Sequence, residues 1–140
     1  MRFIVFVKAD ARSEAGVLPT ETDLSAMTSY NEELVRAGIM LAGEGLQPSA
    51  KGARVRFDKT SKTVIDGPFS ETKELIAGFW ILQCKSLEEC IEWLKRAPFE
   101  DGEVEIRQIF EAPDFGDALT PELQQREARI GEQMKENAKG

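Results

Sequence analysis

Apolar residues follow two periods along this chain. Residues 3–7, Phe-Ile-Val-Phe-Val, and residues 76–82, from Ile76 to Leu82, are near-continuous apolar runs that predict strands covered on both faces. Between them Leu24, Met27, Leu34 and Val35 recur at helical spacing, with Tyr30 and Asn31 near the same stripe. Thr20 with Asp23 three residues on reads as a capping box that opens this helix, and Gly38 closes it after Ala37. A strand over Ile39–Ala42 follows. Arg54-Val55-Arg56-Phe57-Asp58 then alternates and Thr63-Val64-Ile65 returns, which predicts a hairpin with one wet face. Ser86 and Glu89 form a second capping box, for a helix whose Leu87, Cys90, Ile91 and Leu94 face the core and which ends before Pro98. Val104 to Phe110 is the last strand. Thr120-Pro121 opens a tail helix with only Leu123, Ile130 and Met134 as its apolar line.

This order, with the hairpin set between the second strand and the 76–82 strand, predicts an α+β fold: a ferredoxin-like antiparallel sheet with two helices on one face, an extra hairpin and a C-terminal helix. The domain occupies 1–113 and the helical extension 114–140. Strands as apolar as 3–7 and 76–82 leave the second sheet face without a cover, so the pattern predicts a homodimer closed sheet to sheet.

Asp66-Gly67-Pro68-Phe69-Ser70-Glu71-Thr72-Lys73-Glu74 interrupts the apolar pattern with a polar loop. Pro68 suits the second position of a tight turn, and Asp66 can close that turn with its carboxylate. Phe69 is the anomaly: a large aromatic in a loop either packs back onto the fold or faces a cleft. Asp66, Glu71 and Lys73 stand around it as ligand-binding candidates. Glu44, flanked by Gly43 and Gly45 where the backbone can admit a ligand closely, is another, and Tyr30 is either core or an apolar wall of the same site. Gly43-Glu44-Gly45 is no dinucleotide loop, because Pro48, Ser49 and Gly52 stand where a helix must begin. Ser70-x-x-Lys73 matches a β-lactamase nucleophile signature without its companion elements.

Composition narrows the chemistry. The chain has 140 residues and a net charge of −7 from 18 basic and 25 acidic residues, which disfavours nucleic-acid binding. The N-terminal apolar run is too short for a signal peptide or a membrane span, which predicts a soluble cytoplasmic protein without a membrane partner. There is no histidine, and Cys84 and Cys90 lack CxxC spacing, so no metal site and no cofactor are predicted, and Ser-His-Asp and Cys-His mechanisms are excluded.

Val64-Ile65-Asp66-Gly67-Pro68-Phe69-Ser70-Glu71-Thr72-Lys73-Glu74, followed by Gly78-Phe79 and preceded by Gly43-Glu44-Gly45-Leu46-Gln47-Pro48, resembles the DGPF branch of the YCII-related proteins, over residues 1 to about 111. The resemblance implies a dimeric α+β barrel. It implies no single activity: some members of the branch are linked with extracytoplasmic-function sigma factors and others with enzymes. Resemblance to the classical YCII proteins implies catalysis through a histidine early in the first helix and an aspartate just before a proline after the second, but here the first position falls near Met27 and the second at Ala97. Two functions therefore stand open, a small-molecule site at the Asp66–Phe69 loop, catalytic or not, and a non-catalytic module that binds a protein partner such as a sigma factor.

Overall fold

The computed structural model describes residues 1–140, in two compact units, Met1–Gln108 and Ile109–Gly140. The first unit runs β1 (Arg2–Lys8), a one-turn helix α1 (Ala11–Glu14), α2 (Glu21–Arg36), β2 (Met40–Gly45), β3 (Ala53–Phe57), β4 (Lys62–Asp66), β5 (Ile76–Gln83), α3 (Leu87–Lys95) and β6 (Val104–Gln108). The second carries 3-10 turns over Ala112–Ala118 and then α4 (Pro121–Lys139). No helix is long and apolar enough to cross a membrane.

The main sheet has the order β2-β5-β1-β6 with every neighbouring pair antiparallel, which is the ferredoxin-like arrangement predicted from the element order. β3 and β4 form a separate two-stranded sheet between β2 and β5 in sequence. In the central pair Phe3 lies opposite Leu82 and Val5 opposite Trp80, while Ile4 faces Ile81 and Phe6 faces Phe79. Because side chains alternate across a sheet, the first set enters the core with Tyr30 and Leu34 of α2 and Cys90 and Leu94 of α3. Ile4, Phe6, Phe79 and Ile81 occupy the opposite face and stay only half-buried.

Each helix turns inward half of the stripe read off the sequence, Met27 and Leu34 on α2 and Cys90 and Leu94 on α3, and replaces the rest. Met27, Tyr30 and Leu34 carry α2 onto the sheet, at i, i+3 and i+7, whereas Leu24 and Val35 are exposed. On α3 the inward positions are Cys90, Trp93 and Leu94, with Leu87 and Ile91 at the surface. Aromatic bulk decides both cases: Tyr30 stacks edge-on to Trp80 at 5.9 Å, and its hydroxyl donates to the Trp93 carbonyl at 2.6 Å. The caps are as expected at Thr20, where the box with Asp23 is complete, and at Thr120, whose Oγ1 accepts from Leu123 N–H. At Ser86 only half the box forms, because Glu89 Oε2 accepts from the Lys85 N–H instead. The last strand ends at Gln108 rather than Phe110. β2 extends beyond the predicted Ala42, so Glu44 lies within a strand.

Burial raises the Tyr30 phenol from 10.0 to about 12 and the Cys90 thiol from 9.0 to about 12. Between the ordinary and raised values the unfolded chain binds fewer protons than the folded one, so stability is complete below pH about 9 and falls as pH rises towards 12. Denaturant midpoints measured across this range are expected to fall. Tyr30→Phe should flatten the part of the limb that begins near pH 10, and Cys90→Ala the part that begins near 9. Phenolate absorbance reports Tyr30 alone, since it is the only tyrosine, and its titration near 10 in the folded protein would contradict the burial argument. α4 has no buried residue. A chain ending at residue 113 is expected to unfold cooperatively with the midpoint of the full chain, as circular dichroism would show.

Candidate functional site

The Asp66–Glu74 loop is fastened to two earlier segments of the chain. Gly67 N–H donates to the Gly52 carbonyl at 3.0 Å, and Phe69 N–H donates to Ser49 Oγ at 3.0 Å. Ser49 is itself held, since its N–H donates to Glu14 Oε1 at 3.0 Å and its hydroxyl donates to Glu14 Oε2. Local sequence sets up each part. Asp10 and Ser13 cap each other reciprocally and create the one-turn α1 that carries Glu14, and Pro48 leads into the 3-10 turn Ser49–Lys51. Gly67 is required at its position because a Cβ there would lie 1.7 Å from the Ser49 carbonyl oxygen. The Gly67–Pro68 peptide is cis.

Phe69 packs back onto the fold. Register places Arg54 of β3 opposite Ile65 of β4, and the Arg54 guanidinium carbon sits 3.8 Å from the centre of the Phe69 ring. The same guanidinium lies 3.6 Å from Glu71 Oε2. A cation over an aromatic face at a partly exposed site contributes about 0.5–1 kcal/mol, and an exposed ion pair about as little, so the stack orders the loop more than it stabilises the fold.

The predicted site residues are thus divided. Phe69 and Glu71 meet, through Arg54. Asp66 ends β4 opposite Ala53 and is exposed. Its carboxylate does not close the turn, because the Ser49 hydroxyl and Gly52 carbonyl already take the loop's N–H groups. Lys73 is exposed in the 3-10 turn Thr72–Glu74 and pairs with no carboxylate, since Arg54 reaches Glu71 first. Glu44 lies opposite Phe79 and forms no hydrogen bond or ion pair with Asp66, Phe69, Glu71 or Lys73. Gly43, read from sequence as room for a ligand, is instead room for packing: a Cβ there would lie 2.9 Å from Trp80 Cδ1 and 2.6 Å from Met40 Cε. Tyr30, expected as core or as an apolar wall, is core. Glu14, Ser49 and Arg54 lie outside the candidates that the sequence marks. Only Asp10-x-x-Ser13 and the alternation of Arg54 with Val55 could have pointed to them.

On the helix side of the sheet Met27 and Ala97 pack against the core, and Trp80 Nε1 donates to Asn31 Oδ1 at 2.9 Å. A shallow depression on α3 is lined by Glu89, Glu92, Trp93, Lys95 and Arg96 and does not involve the loop.

A family model, the YCII-related domain, matches residues 1–113. An uncharacterised protein of Rhizobium meliloti (strain 1021) is 34% identical over 90 residues, which are 62% of this chain and 70% of that protein. A solved structure, 5-chloro-2-hydroxyhydroquinone dehydrochlorinase from Burkholderia phenoliruptrix AC1100 in complex with 2,5-dihydroxybenzoquinone, is 16% identical, spans 80% of this chain and 96% of that one, and superposes with a TM-score of 0.47.

Removing the Ser49 hydroxyl leaves both Phe69 N–H and the Glu14 carboxylate short of a partner. Ser49→Ala is expected to lower stability by about 1–2 kcal/mol, with faster amide exchange at Phe69. Gly67→Ala should do more, because the clash is with backbone. If Gly67→Ala leaves both stability and Phe69 exchange unchanged, the loop is not held through Ser49.

Proposed function

The chain belongs to the YCII-related domain family, and from that membership we propose that it is a small-molecule-binding protein of the DGPF type, acting as a homodimer, with its ligand site at the Asp66–Phe69 loop. One observation carries the reading. The loop backbone is tied down through Ser49, Gly52 and Glu14, while Asp66 and Lys73 on the same loop have no partner in the chain. A rigid loop that presents unpaired charges of both signs beside an aromatic ring suits a small polar ligand with an apolar portion. Lys73 would meet an anionic group, Asp66 a donor, and the Phe69–Arg54 stack a flat or apolar surface. Catalysis at this site would rest on carboxylates or lysine, since the chain has no histidine.

Dimerisation across the open sheet face fits the same reading. Ile4, Phe6, Phe79 and Ile81 form a contiguous apolar patch through their cross-strand pairing, and a second copy would cover it by two-fold symmetry. Light scattering at micromolar concentration should return twice the chain mass, and Phe79→Glu should return one chain mass without unfolding. A monomeric wild-type chain would end this part of the proposal.

A second reading has its own support. α4 exposes Leu123, Ile130 and Met134 along one line, a surface for a protein partner such as an extracytoplasmic-function sigma factor. The two readings separate by experiment. A metabolite panel read by thermal shift should yield a stabilising ligand whose effect is lost in Asp66→Ala/Lys73→Ala and reduced at least tenfold in affinity by Phe69→Ala. Retention of every hit in these variants, with partner binding lost on removal of residues 109–140, would favour the regulatory module.

A further inference from the structure

Every residue of the β3–β4 hairpin is exposed except Ile65, which lies opposite Arg54 on the face that meets the Phe69 ring, so the other face, expected from the alternation to be covered, is open. Register puts Val55 opposite Val64 and Phe57 opposite Lys62, so Val55, Val64 and Phe57 share one face, and they are 52%, 65% and 69% exposed. A two-stranded hairpin with no cover is marginal in water. This one is nonetheless well built at its tip, where Asp58 Oδ1 accepts from the N–H groups of Thr60 and Ser61, each at 2.8 Å. A preformed hairpin with an uncovered apolar face is a surface suited to docking.

Charge narrows the choice of cover for that face. Residues 51–66 hold five basic side chains against two acidic ones, in a chain whose net charge is −7. Lys59 at the tip and Lys62 beside Phe57 make no ion pair within the chain. Most acids of the first unit are engaged or isolated: Glu33, Glu71, Glu92 and Glu105 each hold an arginine or lysine of their own chain. Glu100, Asp101 and Glu103 are unpaired, and the first unit has no other run of three unpaired acids within four positions. Phe99, next to them, is 40% exposed and supplies the matching apolar surface.

We propose that the hairpin is an arm that docks on the Phe99–Glu103 segment of a second copy of this chain, Phe57 and Val55 against Phe99, Lys59 and Lys62 against Glu100 and Asp101. Two-fold symmetry would form the contact twice. Asp66 lies on the same hairpin face as Val64, so the docked copy would stand beside the ligand site; that clause alone rests on the function proposed above.

The test is a charge exchange on the full chain, read as the dimer dissociation constant by analytical ultracentrifugation, with circular dichroism melting to confirm folding. Lys59→Glu/Lys62→Glu and, separately, Glu100→Lys/Asp101→Lys should each weaken the dimer about tenfold or more, and the four changes together should recover most of the loss. Carbodiimide coupling in an equal mixture of light and heavy-isotope chains should join Lys59 or Lys62 to Glu100 or Asp101 between light and heavy peptides. A dimer indifferent to both reversals, losses that add without recovery, or coupling confined to peptides of one isotope would overturn the arm while leaving sheet-face dimerisation standing. A wild-type chain that stays monomeric would overturn both.

Discussion

The alternation of side chains along β1 and β5 governs the first unit. Both strands are apolar at nearly every position, and a sheet sends alternate residues to opposite sides. Helices joined by short connections can cover only one side. Phe3, Val5, Trp80 and Leu82 therefore define the core, and Ile4, Phe6, Phe79 and Ile81 define the face opposite the one that α2 and α3 cover. The size of Trp80 then constrains its surroundings. Its indole requires glycine at 43, takes Asn31 as hydrogen-bond acceptor and packs edge-on to Tyr30, so the inward stripe of α2 is chosen by the tryptophan rather than by the most apolar spacing available.

The loop at Asp66 depends on a different kind of constraint, satisfaction of backbone donors. A segment without ladder partners must find acceptors for its N–H groups, and Gly52 and Ser49 supply them. The serine oxygen accepts from Phe69 N–H while its own proton is donated to Glu14, which fixes the orientation of the hydroxyl. Glu14 thereby acts on the loop through a residue between them, and a carboxylate from a one-turn helix becomes part of the geometry of a loop more than fifty positions later.

Much of this was legible in the sequence. Continuous apolar runs located β1 and β5, Thr20 and Thr120 located helix starts, and the element order gave the sheet its ferredoxin-like arrangement. Phe69 was correctly the odd residue of the loop, but the two readings of it, packing or cleft, differ only in where Arg54 points, and strand register decides that. Lys73 looked closer to the carboxylates than Arg54 because sequence distance is the only distance a sequence offers. Leu24 and Val35 were as apolar as the inward residues, and nothing in hydropathy distinguishes a stripe that meets a tryptophan from one that meets water. The hairpin's alternation predicted a covered face, and the alternation is there, but the Val55–Val64 face is exposed.

The polar inventory of the first unit bears on where chemistry could occur. Met27 and Ala97, which the family resemblance sets against a histidine and an aspartate, are both packed against the core. The polar atoms nearby are already committed, Tyr30 to the Trp93 carbonyl and Trp80 to Asn31. Burial also raises the Tyr30 phenol to about 12, which leaves it protonated and unable to act as a base near neutrality. Apolar packing of this kind turns the helix side of the sheet into a closed core. Across the sheet and along the inserted segment the balance is reversed, because Glu44, Asp66 and Lys73 are exposed and unpaired, while the backbone that carries Asp66 is fixed by hydrogen bonds. A binding group is served by a rigid support and an uncommitted polar atom at once, and Asp66 combines the two.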